Sequence, residues 1–121
     1  DIDWSQVTVT LVDERFVPEN SPRSNAGLAK ANLLQGKASA ANFVGLYRDV
    51  PTVEAAAKSA CKEFAKFGLP IDAVVLGMGP DGHTASLFPG CDALDETKRW
   101  AVGTWAPFLS AWRMTLTFPR R

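Results

Sequence analysis

The stretch Ile71-Asp72-Ala73-Val74-Val75-Leu76-Gly77-Met78-Gly79-Pro80-Asp81-Gly82-His83 decides how the rest of the chain is read. It opens as an apolar run of strand length and continues as a loop rich in glycine. A run apolar at nearly every position suits a parallel strand covered on both faces. A helix precedes it. Val53, Ala56, Ala57, Ala60, Cys61 and Phe64 recur at helical spacing and form one apolar stripe. Glu54, Lys58, Lys62 and Lys66 occupy the other face, with Glu54 and Lys58 in the favourable i,i+4 order. Thr52 is placed to cap this helix, and Gly68 with Pro70 closes it. Helix, short turn, buried strand and glycine-rich loop is the order of an α/β fold with right-handed crossovers.

Outward from that centre, Val7-Thr8-Val9-Thr10-Leu11-Val12 is β-branched and alternating, and reads as a strand. It ends in the charged cluster Asp13-Glu14-Arg15, followed by a loop punctuated by Pro18 and Pro22. Ser24 is the expected N-cap of a helix over 25–34, and Gly36 stops it. Further strands are expected at 100–103 and 113–118, the latter with Met114, Leu116 and Phe118 alternating with Arg113, Thr115 and Thr117. About four strands fall short of the five or six common in such sheets, so the chain reads as a partial domain.

Composition narrows the function classes. The 121 residues carry 13 Lys+Arg against 13 Asp+Glu, a formal charge of 0. Nucleic-acid binders need a basic stripe to neutralise phosphates, and an acidic disordered tail needs an excess of carboxylates. No stretch reaches the ~18 consecutive apolar residues of a membrane span. The start, Asp1-Ile2-Asp3-Trp4, has neither the basic opening nor the apolar run of a signal peptide. Cys61 and Cys91 lack zinc-type spacing and suggest a reducing, cytoplasmic setting.

The chemistry is expected in the loop that begins at Gly77. Ligands of open α/β sheets bind outside the carboxyl ends of the strands, and Gly77, Gly79 and Gly82 let backbone N–H groups approach an anion. Two nucleotide motifs overlap there. Gly77, Gly79 and Gly82 satisfy G-x-G-x-x-G, and Gly77 to Thr84 resembles a phosphate loop with His83 in the lysine position. Both patterns require a substantial helix after the loop, and the short segment from His83 to Phe88 before Pro89-Gly90 leaves no room for one. What remains is the chain's single histidine, with Asp81 two residues before it. An imidazole can take a proton from water and return it to a leaving group, and Asp81 can orient the ring. A lone histidine is often no more than a loop hydrogen bond, but a glycine-rich sheet-edge loop with an acidic neighbour favours chemistry. If the strands at 7–12 and 71–76 run parallel, Asp13 and Arg15 face His83. Arg15 is then able to clamp a phosphate. Arg113, taken alone, reads as an exposed cation at a strand edge.

Four segments together carry a resemblance: Val12 to Pro18, Ser24-Asn25, Leu76 to Pro89, and Arg113 to Thr117. In order and spacing they resemble the 6-phosphogluconolactonases of the glucosamine-6-phosphate isomerase/6-phosphogluconolactonase superfamily. The resemblance implies a Rossmann-like three-layer α/β fold with a mainly parallel sheet flanked by helices. It implies hydrolysis of 6-phospho-D-glucono-1,5-lactone to 6-phosphogluconate in the oxidative pentose phosphate pathway, without metal or organic cofactor. It also implies a cytoplasmic enzyme, monomeric when full length, whose partner is a small phosphosugar lactone rather than nucleic acid or membrane. By resemblance His83 is the general base, and Asp81 and Asp13 orient it or the sugar hydroxyls. Arg15 and Arg113 line the pocket with the loop glycines, and Ser24 and Asn25 brace the structure. Loop N–H groups around Gly79 to Gly82 are the expected oxyanion donors.

The isomerase branch has a glutamate before the proline of its Asp-Gly-His segment. Here Ser86-Leu87-Phe88-Pro89 has no acid, which favours the lactonase. Members of the superfamily run to roughly twice this length, with a phosphate-holding Ser-Gly-Gly loop before the matched region and further helices after it. Arg120-Arg121 does not resemble their continuation. The expected domain is therefore residues 1–121 as the central part of that fold, and a catalytically silent sugar-phosphate-binding remnant is the alternative.

Overall fold

The structure, a computed structural model, describes residues 1–67 and 70–118. Three short elements come first: β1 (Thr8–Thr10), β2 (Asp13–Arg15) and α1 (Asn25–Asn32). They are followed by β3 (Asn42–Val44), α2 (Val53–Phe67), β4 (Ala101–Ala106) and β5 (Ala111–Leu116).

α2 forms where its stripe predicts. The Thr52 hydroxyl accepts a hydrogen bond from the Ala55 N–H at 3.1 Å, satisfying one of the orphan donors of the first turn. Val53, Ala56, Ala57, Ala60 and Phe64 are buried in one core with Met114 and Leu116. Cys61 is half-buried at the margin, its thiol donating to the Ala101 carbonyl at 3.3 Å. The helix lies very close to β4, because a Cβ on Gly103 would come within 2.7 Å of Val53 Cγ1. The expected Gly68 stop lies outside the described residues, as do Arg120 and Arg121.

β1 and β3 pair in parallel, with Thr8 opposite Asn42 and Thr10 opposite Val44. β3 is a strand the sequence did not announce: three residues are too few to show a period. The other sheet has the order β2-β5-β4 and is antiparallel throughout. The α/β class therefore stands, with its parallel pairing confined to β1 and β3 among the described strands. β4 and β5 overlap the expected segments but are longer on the hairpin side, running to Ala106 and from Ala111. β5 does not alternate as expected: Arg113, Thr115 and Thr117 are buried along with Met114 and Leu116, while Phe118 is exposed. β5 is the central strand, paired on both edges, and its consecutive residues 113–116 are buried whichever face they point to.

Two expectations are corrected. Asp13-Glu14-Arg15 is not the charged end of the first strand but a separate strand, β2, paired with β5. The reason is Glu14, which is fully buried. Its carboxylate accepts from the N–H groups of Arg15, Asn25 and Ala26, each at 2.8 Å, and so seats the positive N-terminus of α1 on the strand. The Ser24 hydroxyl caps the same helix, accepting from the Gly27 N–H at 3.0 Å. The second correction concerns 71–76, expected as a buried strand. It is unpaired and exposed, Val75 to 90%. A strand exists through its ladder, and none of the described strands pairs with this segment. Among the described residues, no helix is long and apolar enough to cross a membrane.

Candidate active site

The site is built on one face of the β2–β5 ladder. Asp13 lies opposite Thr115, and Arg15 lies opposite Arg113. Residues two apart on a strand share a face, so these four side chains stand together while Glu14 and Met114 turn into the interior. Like charges directly opposite each other repel, so the Arg15–Arg113 rung is unfavourable without a counter-charge. Asp13 supplies part of it, its Oδ2 lying 3.6 Å from Arg113 Nη1. Arg15 uses one Nη1 hydrogen on the Arg23 carbonyl at 2.7 Å. The Nε atoms of Arg15 and Arg113 are buried without a hydrogen-bond partner. Burial, and then repulsion from Arg15, holds the pKa of Arg113 below its ordinary value. This cationic corner suits a phosphate or an oxyanion. Asn25 braces it from α1, its Nδ2 donating to Asp13 Oδ1 at 3.2 Å and to the Asp13 carbonyl at 3.1 Å.

The glycine-histidine loop supplies the second half. The Gly79 N–H donates to the His83 carbonyl at 2.9 Å, and the Gly82 N–H donates to the Gly79 carbonyl at 3.0 Å. Gly82 takes a φ of 86°, a left-handed turn position that glycine adopts without strain. The turn folds Asp81 back onto His83. Asp81 Oδ1 accepts from the His83 N–H at 3.1 Å and meets the imidazole Nδ1 at 2.5 Å. The ring lies on Phe88, centroid to centroid 4.7 Å. The imidazole hydrogen bond, then the backbone one, holds the Asp81 carboxyl below its ordinary pKa. With Nδ1 engaged by a carboxylate, the neutral ring presents its lone pair at Nε2.

Beyond His83 the chain turns at Thr84–Leu87, and the buried Ser86 meets the ladder. Its hydroxyl donates to Asp13 Oδ2 at 2.7 Å and its N–H donates to Thr115 Oγ1 at 3.1 Å. The structure thus joins Asp81 with His83 and Asp13 with Arg113, places Arg15 beside Arg113, and docks the loop on the same ladder. Arg113 is buried in β5 rather than exposed at an edge. Of the loop N–H groups expected as oxyanion donors, those of Gly79 and Gly82 are consumed inside the turn. What Gly79 provides is room: a Cβ there would collide with the His83 ring and the Asp81 carboxylate. Gly77 stands exposed in open space and contributes no described contact. Ser86, Thr115 and the deeply buried Glu14 are not distinguished as site residues by their sequence context. The one hint for Ser86 is a polar residue beside the apolar pair Leu87-Phe88. Among the described residues no group of three or more His, Cys, Asp or Glu side chains is arranged to hold a metal ion.

Residues 1–120, which include every site residue above, match the family described as glucosamine-6-phosphate isomerases/6-phosphogluconolactonase. The chain belongs to that family. It is 48% identical over 120 residues to a 6-phosphogluconolactonase of Pseudomonas aeruginosa, covering 95% of this chain and 50% of that protein. It is 52% identical over 124 residues to one of Mesorhizobium japonicum, covering 98% of this chain and 52% of that protein. The crystal structure of a 6-phosphogluconolactonase from Shewanella baltica superposes with a TM-score of 0.90 at 43% identity, over 96% of this chain and 51% of that one. The chain therefore has the Rossmann-like α/β fold of this family and spans about half the length of the curated relatives it matches.

Proposed function

We propose that this chain carries the hydrolytic base and an anion-binding corner of a 6-phosphogluconolactonase, acting in the cytoplasm on 6-phospho-D-glucono-1,5-lactone without metal or organic cofactor. The observation that carries the reading is the 2.5 Å Asp81–His83 pair, held on a loop docked against the ladder of Arg15 and Arg113. His83 Nε2 takes a proton from water as the water oxygen attacks the lactone carbonyl carbon. The carbonyl electron pair moves to oxygen, and a guanidinium of Arg15 or Arg113 faces the developing charge. Collapse of this intermediate breaks the bond from the carbonyl carbon to the ring oxygen. The imidazolium returns its proton to that oxygen, freeing a hydroxyl, and the acid formed ionises to 6-phosphogluconate. The other cationic side chain is left for the phosphate, whose remote binding energy positions the ring. Similarity to relatives named 6-phosphogluconolactonase and the absence of an acid between His83 and Pro89 support hydrolysis over sugar isomerisation.

The test compares lactone hydrolysis by the chain and by His83→Asn, corrected for spontaneous ring opening. Loss of the base is expected to lower the catalysed rate by about 10²- to 10⁴-fold; equal rates overturn the mechanism. One observation favours a second reading, a silent phosphosugar-binding domain: the run that carries the loop, 71–78, is exposed and unpaired among the described strands. Binding of 6-phosphogluconate in calorimetry with no lactone turnover by the chain is the result that selects it.

A further inference from the structure

We propose that Ser86 is a positioning residue, which sets the His83 loop in register with the Arg15–Arg113 rung and keeps Asp13 from closing further on Arg113. The proposal rests on the reading of His83 as the base.

Ser86 is fully buried, and its two polar groups grip two different strands. Its N–H is held by Thr115 Oγ1 and its hydroxyl by Asp13 Oδ2. Asp13 and Thr115 are themselves directly opposite one another in the ladder, and the next pair on that face is Arg15 with Arg113. One residue of the loop is thereby referenced to both strands at the rung beside the cationic corner. The turn needs such an anchor. Ala85 sits at a φ of 50°, a left-handed conformation that is strained for an L-residue. Inside the turn, the bond that closes it runs from the Leu87 N–H to the Thr84 carbonyl at 2.9 Å. His83 immediately precedes this turn, so slippage of the anchor displaces the imidazole.

Asp13 Oδ1 is held by the Asn25 amide and Oδ2 by the Ser86 hydroxyl, both neutral donors. Arg113 Nη1 stands further from Oδ2, at 3.6 Å, and its Nε has no partner. Without the Ser86 hydroxyl, Oδ2 is free to close on Arg113 and to spend the cation on an internal pair.

The test uses the full chain with Ser86→Ala, Asp13→Asn and the double variant. Three quantities are read: kcat and KM for the lactone, the affinity for inorganic phosphate, and the imidazole NMR signals of His83, which are unambiguous in a chain with one histidine. Ser86→Ala is expected to weaken phosphate binding and raise KM by about tenfold or more, the effect of losing a hydrogen bond to a charged group. It is also expected to lower kcat and displace the His83 signals, with the fold intact by circular dichroism. Because Ser86 acts through Asp13, the double variant should lose no more phosphate affinity than Asp13→Asn alone. Folded Ser86→Ala with unchanged His83 signals and unchanged KM overturns the proposal, as does strict additivity in the double variant. If Ser86→Ala does not fold, the near-isosteric Ser86→Cys takes its place, and displaced or unchanged His83 signals and KM decide the matter in the same way. Should the unsubstituted chain hydrolyse no lactone, the functional reading fails by itself; the His83 signals and phosphate affinities still decide the role of Ser86.

Discussion

Gly79 and Asp81 set the working geometry of His83, and each carries a prediction. A methyl group at 79 would run into both partners of the Asp81–His83 pair. Gly79→Ala is expected to displace the imidazole and reduce lactone hydrolysis by about 10²-fold, the scale of a 1 Å misplacement. Thermal unfolding should change far less, because the turn is exposed. An active Gly79→Ala enzyme contradicts this reading of the loop. The Asp81 carboxyl has a lowered pKa, first through the hydrogen bond from the His83 ring. A depressed carboxylate contributes stability in full above its unfolded value, 3.8, and loses it as pH falls through the lower folded value. The His83 ring signals are therefore expected to lose their Asp81-bound character only on acidification below that value, and Asp81→Asn should abolish the transition. Both residues were legible in the sequence because a glycine-rich loop with one histidine and one near acid is a local pattern. Ser86 and Thr115 were not, because common polar residues acquire meaning only from what the fold sets against them.

Among the elements, α2 is the one that local spacing determines most completely, and its contact with β4 is the most sensitive to size. Gly103→Ala would force Val53 aside at a 2.7 Å approach. It is expected to destabilise the chain by about 1–3 kcal/mol, read as a lower midpoint in urea. Ser24→Ala removes the cap of α1 and should cost about 1 kcal/mol by the same measurement. Unchanged midpoints would mean that the helix–strand approach or the cap carries no strain or support. The stripe of α2 was readable because the spacing that defines it repeats every turn of the chain, whereas the Met114 and Leu116 it packs against lie far away in sequence. β2 was not readable, because its middle residue is a glutamate whose burial depends on three N–H donors, two of them from α1. The run 71–76 has the composition of a strand, but composition supplies no ladder partner.

For the whole molecule, the largest consequence is the apolar surface that Val74, Val75, Leu76 and Met78 leave exposed. An apolar run that is unpaired among the described strands is a template for association. The chain is expected to self-associate as its concentration rises, and Val75→Lys should shift it toward monomer in analytical ultracentrifugation. Concentration-independent sedimentation of the unsubstituted chain would refute this. The amino-acid sequence by itself determined the α/β class, α2 with its buried face, and the loop with Asp81 and His83. These follow from hydrophobic period, capping and turn chemistry, which act over a few residues. Tertiary structure alone decided that Arg15 stands across from Arg113, that Glu14 anchors a helix, and that Ser86 reaches Asp13, 73 residues away. Such contacts depend on which strands pair and in what register, and that choice is settled by the packing of the whole chain rather than by any one segment.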